Sequence, residues 1–276
     1  MQNDSVAYIK MKKVSINEVL DADDELAIEE PLEINVRFEN KGIPVQKCVS
    51  ITMRTPGNDE ELGVGFLFTE GIIQKREDVA DVSSAPVAGN KVLITLNKNK
   101  QPLLQNAERN FYTTSSCGVC GKTGIDAIRT TSVYKNDTDE ICLPADLFYH
   151  LNDVLRKKQA VFESTGGLHA SALFDLHGNF TMLREDVGRH NALDKVIGTA
   201  FLNDQLPLNN SILLLSGRAS FELVQKATMA GIKIIAAIGA PSSLAVQLAE
   251  ETGITLIGFL RNQRFNIYSG EQRIRL

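Results

Sequence analysis

Three short apolar runs in the C-terminal half constrain the fold of this chain more than any other feature of its sequence. The runs are Ile212–Leu215, Ile232–Ile238 and Ile254–Leu260, and segments with the spacing of amphipathic helices separate them. Strands that alternate with helices along a chain usually lie parallel in one sheet. The pattern therefore predicts an α/β fold with a mostly parallel sheet and helices on both of its faces.

The segment before these runs predicts a helix, a β-hairpin and a second helix. Apolar residues share one helical face between Leu147 and Phe162. Alternating apolar residues over 168–174, a turn at His177–Asn179 and a strand near Phe180–Leu183 predict the hairpin. The next helix contains Ala192–Phe201. We expect one α/β domain over residues 144–276.

The N-terminal part predicts a small α+β domain over residues 1–110. Asn58 is predicted to cap a helix, with Glu61 as its capping-box partner, and the helix is predicted to end near Glu70. Residues 1–30 show little pattern and are expected to be weakly structured, and residues 111–143 are expected to form a loop and linker. Alternating apolar residues predict three strands, over 32–38, 49–53 and 92–96.

Charge and hydropathy limit the partners that the chain can have. A net charge of −5 argues against a protein that binds nucleic acid through a basic surface. No apolar run approaches the ~20 residues of a membrane span, and the N-terminus lacks the apolar core of a signal peptide. We expect a cytoplasmic protein with neither nucleic acid nor membrane as a partner.

Cys117 and Cys120 lie in a polar, glycine-rich loop and are followed by Lys122. Glycines on both sides of Cys120 allow the backbone to turn sharply, and a nearby cation lowers the pKa of a thiol. A thiolate in such a loop could attack a persulfide and carry its terminal sulfur. The pair is therefore the candidate catalytic site.

Two other chemistries use the same cysteine spacing. A Cys₄ zinc site needs a second cysteine pair, whereas Cys48 and Cys142 are single and distant in sequence, so no zinc is expected. A thioredoxin-like dithiol normally joins a strand to a helix, and this pair stands in a polar loop instead. The residues favour sulfur chemistry and leave the other two readings open.

Each of the three apolar runs is followed by residues that suit an oxyanion. Ligands of open α/β sheets bind beyond the carboxyl ends of the strands, where helix N-termini and arginine side chains bind phosphate. Alternatively, the arginines are solvated surface residues and the turns only cap helices. The candidate ligands of a phosphate or pyrophosphate are Arg218, Ser242, Arg261 and Arg264.

Two further polar motifs, GGLH and REDVGRHN, flank the predicted hairpin. Their charges are denser than helix capping requires, so His169, Arg189 and His190 are candidate ligand contacts. Asp186 is interpreted more simply as a cap of the following helix.

Several long motifs resemble those of the formate dehydrogenase accessory sulfurtransferases, the FdhD family. They follow one another in the family's order and extend over most of the chain. Among them are SSCGVCGK at 115–122, TGGLHASALF at 165–174, REDVGRHNALDKVIG at 184–198, SGRASFELVQKA at 216–227 and FLRNQRFNIY at 259–268.

The resemblance implies a sulfur relay. Cys117 is expected to accept sulfur from a cysteine desulfurase as a persulfide, with Cys120 as a supporting thiol. The sulfur then passes to a molybdenum or tungsten bis(molybdopterin guanine dinucleotide) cofactor before this cofactor enters the catalytic subunit of formate dehydrogenase. The alternative is a chaperone that binds the cofactor without carrying sulfur.

The resemblance also implies a cofactor site, a fold and an assembly. A GDP-like ligand is expected at the FLRNQR segment. The fold should resemble that of cytidine deaminases, although their zinc motifs H-x-E and P-C-x-x-C are absent, and a homodimer is expected. The residues of the segment are Phe259, Leu260, Arg261, Asn262, Gln263 and Arg264.

Overall fold

The computed structural model describes residues 5–84, 90–103, 130, 132, 134 and 141–276. No helix in this part of the chain is both long and apolar enough to cross a bilayer. The N-terminal elements are β1 (Val6–Val14), β2 (Val19–Ala27), β3 (Glu30–Asn40), β4 (Ile43–Arg54), α1 (Asp59–Thr69), a short 3₁₀ helix (Arg76–Asp78), β5 (Val79–Ser84) and β6 (Lys91–Leu96).

The C-terminal elements include, in the predicted order, a helix, a hairpin, a second helix and three strands separated by helices, but the first predicted helix is divided in two and three further strands are present. They are β7 (Leu143–Pro144), α2 (Ala145–Lys158), α3 (Ala160–Thr165), β8 (His169–Asp175), β9 (Phe180–Asp186), α4 (Arg189–Leu202), β10 (Ser211–Leu215), α5 (Phe221–Met229), β11 (Ile234–Ala237), α6 (Ser243–Thr252), β12 (Thr255–Arg261), β13 (Arg264–Ser269), a 3₁₀ helix (Glu271–Arg273) and β14 (Ile274–Arg275).

The larger sheet is mixed, so the prediction of a mostly parallel sheet is wrong. Its strand order is β13-β12-β11-β10-β8-β9, and only the β10–β11 and β11–β12 pairs are parallel. The β8–β9 hairpin joins β10 in the antiparallel sense. At the other edge, Asn262 and Gln263 both adopt positive φ, as in a two-residue hairpin turn, and return the chain into β13.

The first thirty residues were expected to be weakly structured, and this prediction is also wrong. Strands β1 and β2 pair in antiparallel register over their whole length and form an N-terminal ribbon. Lysines of β1 stand opposite acidic residues of β2, with Lys12 bonded to Asp21 at 2.7 Å. Because these charges interrupt the apolar alternation, the sequence pattern does not predict the two strands.

Helix α1 begins as predicted but without the predicted cap. Asn58 adopts a left-handed conformation with φ of 58°, and its side chain bonds no backbone N–H of the helix. Glu61 instead accepts from the guanidinium of Arg184, with Nη2–Oε1 at 2.7 Å. The helix ends with Glu70 as its C-cap, and Gly71 has the positive φ expected after a helix end.

Helices α1 and α4 cross at two glycines. A Cβ atom on Gly65 would overlap the carbonyl of Asp194, and one on Gly198 would overlap the carbonyl of Glu61. The backbones can therefore touch only because both positions lack a side chain. This contact packs the smaller sheet, of order β4-β3-β6-β5, and the α4 face of the larger sheet around one apolar cluster.

Candidate functional site

Most of the residues that the sequence analysis identified lie at one end of the larger sheet, which we call the strand-end edge. The carboxyl ends of β10, β11 and β12 lie there. Strand β8 runs antiparallel to β10, with Ser171 opposite Leu215, so His169 at the start of β8 reaches the same edge. His169 also pairs with Asp186 at the end of β9, just before α4.

Backbone hydrogen bonds join the three turns at this edge. Gly239 N donates to Gly217 O at 3.0 Å, and Ser242 N donates to Ala219 O at 3.0 Å. Phe259 N, in the bulge of β12, donates to Gly239 O at 3.1 Å. The turns thus form one continuous backbone surface, to which a phosphate could come close.

Some side chains of the FLRNQR segment lie at the site, and others lie in the core. Arg261 and Arg264 stand opposite each other at the end of the β12–β13 hairpin, and both are exposed. The guanidinium of Arg261 lies 5.9 Å from the ring centre of Phe259. Leu260 is 1% exposed in the apolar cluster against α2, so its side chain anchors the strand and does not face the edge.

The turns after β10 and β11 use their serines in different ways. Ser242 is the N-cap of α6, and its hydroxyl accepts from Ala245 N at 3.2 Å. Ser220, the N-cap of α5, makes no such bond, and its hydroxyl lies 3.3 Å from His190 Nε2. Arg218 stands exposed between the two turns. The third turn leads into a strand and offers no helix N-terminus.

Helices α4 and α5 face each other with two polar side-chain pairs spaced one turn apart. His190 Nε2 lies 2.7 Å from Glu222 Oε2, and Asp194 Oδ2 lies 2.9 Å from Lys226 Nζ. Lys226 Nζ also bonds the hydroxyl of Thr69 in α1 at 2.9 Å. Burial alone would lower the pKa of Lys226, but the nearby carboxylates, Asp194 foremost, raise it. The sequence analysis did not identify these two pairs, although Glu222 and Lys226 have the i, i+4 spacing of residues on one helix face.

His169 lies in a locally cationic environment. Burial lowers the pKa of its imidazole, Arg189, His190 and Arg218 lower it further, and the Asp186 carboxylate offsets part of this by raising it. Arg189 is partly buried, and within the described residues its Nε finds no acceptor. An anion at this edge would both accept from that nitrogen and relieve the repulsion around His169.

Much of the REDVGRHN motif is structural. Asp186 was interpreted as a helix cap, but its carboxylate accepts from Thr55 N at 3.2 Å and Gly188 N at 2.8 Å. It also lies 2.8 Å from Lys195 Nζ, in a pair that is almost fully buried. These bonds hold the segment before α1 against the start of α4. The buried Lys195 was not identified from the sequence.

Cys117 and Cys120 lie outside the described residues. The nearest described residues on either side meet at the C-terminal end of α1. Leu103 N donates to Ile72 O at 3.0 Å, and Thr130 Oγ1 accepts from Gln225 Nε2 at 3.3 Å. A Cβ on Gly71 would lie 3.0 Å from Thr130 Cγ2, so the described residues on both sides of this segment lie just after the end of α1.

The other two cysteines, Cys48 and Cys142, lie within the described residues. Burial raises the pKa of the Cys48 thiol, and the nearby Glu33 carboxylate raises it further. Cys142 is exposed just before β7. A raised pKa leaves less thiolate, so Cys48 is poorly suited to nucleophilic chemistry.

The cationic surroundings of His169 predict that anion binding is coupled to proton uptake. A bound anion raises the lowered pKa of His169, so the affinity for GDP should increase as the pH falls through the pKa that His169 has in the complex, by at most about tenfold per pH unit. Calorimetry on both sides of that pKa measures the slope, and His169→Gln should flatten it. The phosphate of GDP titrates equally with both proteins, so equal slopes would contradict the prediction.

Comparison with known proteins gives one consistent result. The sequence profile of the FdhD/NarQ family matches residues 27–275. A protein named sulfur carrier protein FdhD from Mycobacterium bovis is 48% identical over 280 residues, which cover 98% of this chain and 99% of the relative. Proteins of the same name from Streptomyces coelicolor and Saccharolobus solfataricus are 48% and 41% identical, and cover 92% and 96% of this chain and 90% and 99% of their own.

A solved structure has the same fold. The crystal structure of a protein described as a formate dehydrogenase accessory protein, from Desulfotalea psychrophila, superposes with a TM-score of 0.72. The two chains are 25% identical, and the match covers 98% of this chain and 99% of the other.

Proposed function

Because the chain belongs to the FdhD/NarQ family, we propose that it is a sulfur carrier that serves formate dehydrogenase. The relatives are named sulfur carrier proteins, and one solved structure of this fold is described as a formate dehydrogenase accessory protein. The Cys117–Cys120 motif supplies the thiols that such a role requires.

The cargo that we propose is the molybdenum bis(molybdopterin guanine dinucleotide) cofactor, bound as a substrate at the strand-end edge. One observation carries this assignment: the buried Nε of Arg189 has no acceptor among the described residues, and Arg189 and Arg218 both lower the pKa of the neighbouring His169. Arg218, Arg261 and Arg264 would add exposed guanidinium groups for the phosphates. GDP should bind the same surface as the nucleotide part of the cargo.

The proposed chemistry has two balanced steps. The Cys117 thiolate attacks the outer sulfur of a cysteine desulfurase persulfide, the S–S bond breaks and the desulfurase cysteine leaves as a thiolate. The Cys120 thiolate then attacks the Cys117 sulfur, and the terminal sulfur leaves as hydrosulfide for the cargo. The resulting Cys117–Cys120 disulfide is reduced by a cellular dithiol, which restores both thiols.

The remaining parts of the proposal rest on the family. The sulfur donor is a cysteine desulfurase, and the recipient of the sulfurated cargo is the catalytic subunit of formate dehydrogenase. We place the protein in the cytoplasm as a homodimer, with the cofactor-binding domain over residues 144–276.

Sulfur loading at Cys117 tests the proposal directly. After incubation with a cysteine desulfurase and cysteine, mass spectrometry of the intact chain and its peptides should find one added sulfur atom on Cys117. A matched incubation of the Cys48→Ala variant should give the same result, because Cys48 is partly buried and has a raised pKa. Sulfur on another residue, or on none, would contradict the proposed carrier.

The assignment of the cargo site makes a separate prediction. Arg189→Gln removes the guanidinium whose Nε lacks an acceptor, so the affinity for GDP should fall about tenfold, the effect of one charge-assisted hydrogen bond. Arg156→Gln, on the exposed side of α2, is the matched control and should bind GDP as the wild type does. Titration calorimetry measures both, and equal affinities would remove Arg189 from the site.

A further inference from the structure

Asp186 and Lys195 form an ion pair inside the protein, beside the strand-end edge. Their charged atoms lie 2.8 Å apart, and their side chains are 0% and 2% exposed. Taking two charges out of water costs about as much free energy as their attraction returns, so replacing such a pair by apolar residues is often neutral for stability. Stability alone therefore gives no reason for a pair of charges at this place.

The carboxylate of Asp186 fixes the first turn of α4. Its Oδ1 accepts from Gly188 N at 2.8 Å and from Asn191 Nδ2 at 3.1 Å. A Cβ on Gly188 would lie 3.0 Å from that side-chain nitrogen and 3.3 Å from Oδ1, so this turn is packed closely around the carboxylate. Arg189, whose Nε has no acceptor among the described residues, follows Gly188 directly. The place of Arg189 therefore depends on Asp186.

The second carboxylate oxygen of Asp186 joins the same turn to the segment that precedes α1. Oδ2 accepts from Thr55 N at 3.2 Å, and Lys195 Nζ donates to Thr55 O at 2.9 Å. Thr55 Oγ1 in turn accepts from Val187 N at 3.2 Å. Because both oxygens bond within the chain and the side chain is 0% exposed, Asp186 can act on a ligand only through its neighbours.

Asp186 also stands across from His169. The two residues are partners in the β8–β9 pairing, and such partners place their side chains on the same face of a sheet, with Cβ atoms about 5 Å apart. The charged groups that shift the pKa of His169 are Arg189 and His190 of α4, Arg218 after β10 and Asp186 of β9. The first three lower this pKa, and the Asp186 carboxylate raises it. Within this set, Asp186 is thus the group that favours the imidazolium form, which attracts an anion.

We propose that Asp186 is a positioning residue of the cargo site: its buried carboxylate fixes Arg189 at the start of α4 and supplies the negative charge that lets His169 bind a phosphate group as an imidazolium. This inference rests on the proposed function. A lone carboxylate would repel a phosphate, and the ammonium of Lys195 compensates that charge. The ion pair thus holds the first turn of α4 in place without making the site acidic.

A charge-balanced double variant of the full-length chain tests this role. Asp186→Asn/Lys195→Met removes one charge of each sign and leaves no buried ammonium without its carboxylate. In the free protein, NMR titration of the imidazole Cε1 protons should find the pKa of His169 below its wild-type value. The chain has four histidines, and His169→Gln identifies the signal. Calorimetry should find the affinity for GDP lower by about threefold or more.

Two further variants separate charge from position and from stability. Asp186→Glu keeps the carboxylate, so the pKa of His169 should stay near its wild-type value, while the longer side chain displaces the first turn of α4 and weakens GDP binding. Asp194→Asn/Lys226→Met is the matched control, since that buried ion pair joins α4 to α5 with 2.9 Å between its charged atoms. This control should leave both the pKa of His169 and the affinity for GDP unchanged.

The two measurements also separate this inference from the proposed function. An unchanged pKa of His169 or an unchanged GDP affinity in the folded Asp186→Asn/Lys195→Met variant would overturn the inference, and so would equal changes in the control pair. If this variant did not fold, wild-type GDP affinity in Asp186→Glu would overturn it instead. If the wild type bound no GDP, the assigned cargo would be wrong, and the NMR titration, which needs no ligand, would still decide whether Asp186 controls the protonation of His169.

Discussion

Replacing Gly198 by alanine is expected to destabilise the folded chain by about 3 kcal/mol or more, a large share of the roughly 5–15 kcal/mol by which native proteins are stable. The added Cβ would overlap the carbonyl of Glu61 on the facing helix. Backbone atoms cannot rotate away as the tip of a side chain can, so α1 and α4 must separate. That movement would also strain the bond between Thr69 and Asp194.

Chemical denaturation followed by circular dichroism measures this effect. Gly65→Ala, whose Cβ would overlap the carbonyl of Asp194, should behave like Gly198→Ala. Gly167→Ala is the matched control, because its Cβ has only ordinary contacts and its change in stability should stay within about 0.5 kcal/mol. If Gly198→Ala unfolded at the wild-type denaturant concentration, the close crossing of α1 and α4 would be refuted.

Replacing Cys117 by alanine should abolish the maturation of formate dehydrogenase, because Cys117 is the proposed persulfide carrier and Cys120 alone cannot complete the two-thiol release step. Cells that lack the native gene and express the variant should show no formate dehydrogenase activity above background. GDP affinity should be unchanged, since the assigned ligands all lie on the strand-end edge. This combination separates loss of sulfur transfer from loss of cargo binding.

Cys142→Ala is the control for this experiment, because that cysteine is exposed but stands alone in sequence. It should support full activity. Full activity of the Cys117→Ala variant, with loss of activity in Arg189→Gln, would instead identify a chaperone that binds the cofactor and carries no sulfur.

The local patterns of the sequence predicted the positions of helices and strands better than they predicted which strands pair. The hairpin over 168–183, the helix that contains Ala192 and the three apolar strands lie where the pattern placed them. The direction of β13 was not predicted, because the turn at Asn262–Gln263 resembles a loop until its two positive φ angles are known. The pairing of β1 with β2 was missed because charged residues fill the register positions on which apolar alternation would depend.

Residue types predicted only part of the candidate site. Arg218, His169 and the 261–264 segment follow or precede strands, and the topology brings them to one edge of the sheet. Charge density alone could not distinguish residues that contact a ligand from residues that form ion pairs inside the protein. Asp186 and Lys195 pair with each other inside the protein, whereas Arg189 in the same motif keeps a buried nitrogen without an acceptor among the described residues.

The bonds that join the N-terminal unit to β9 and α4 have a consequence for synthesis on the ribosome. Arg184 bonds Glu61 across 123 positions of sequence, and Asn191 bonds Met53 across 138. At a translation rate of about 5–20 residues per second, the interval between the synthesis of α1 and the synthesis of α4 is on the order of ten seconds. Nascent chains that stop before α4 therefore expose that apolar surface, and they are the species that a ribosome-associated chaperone must protect from aggregation.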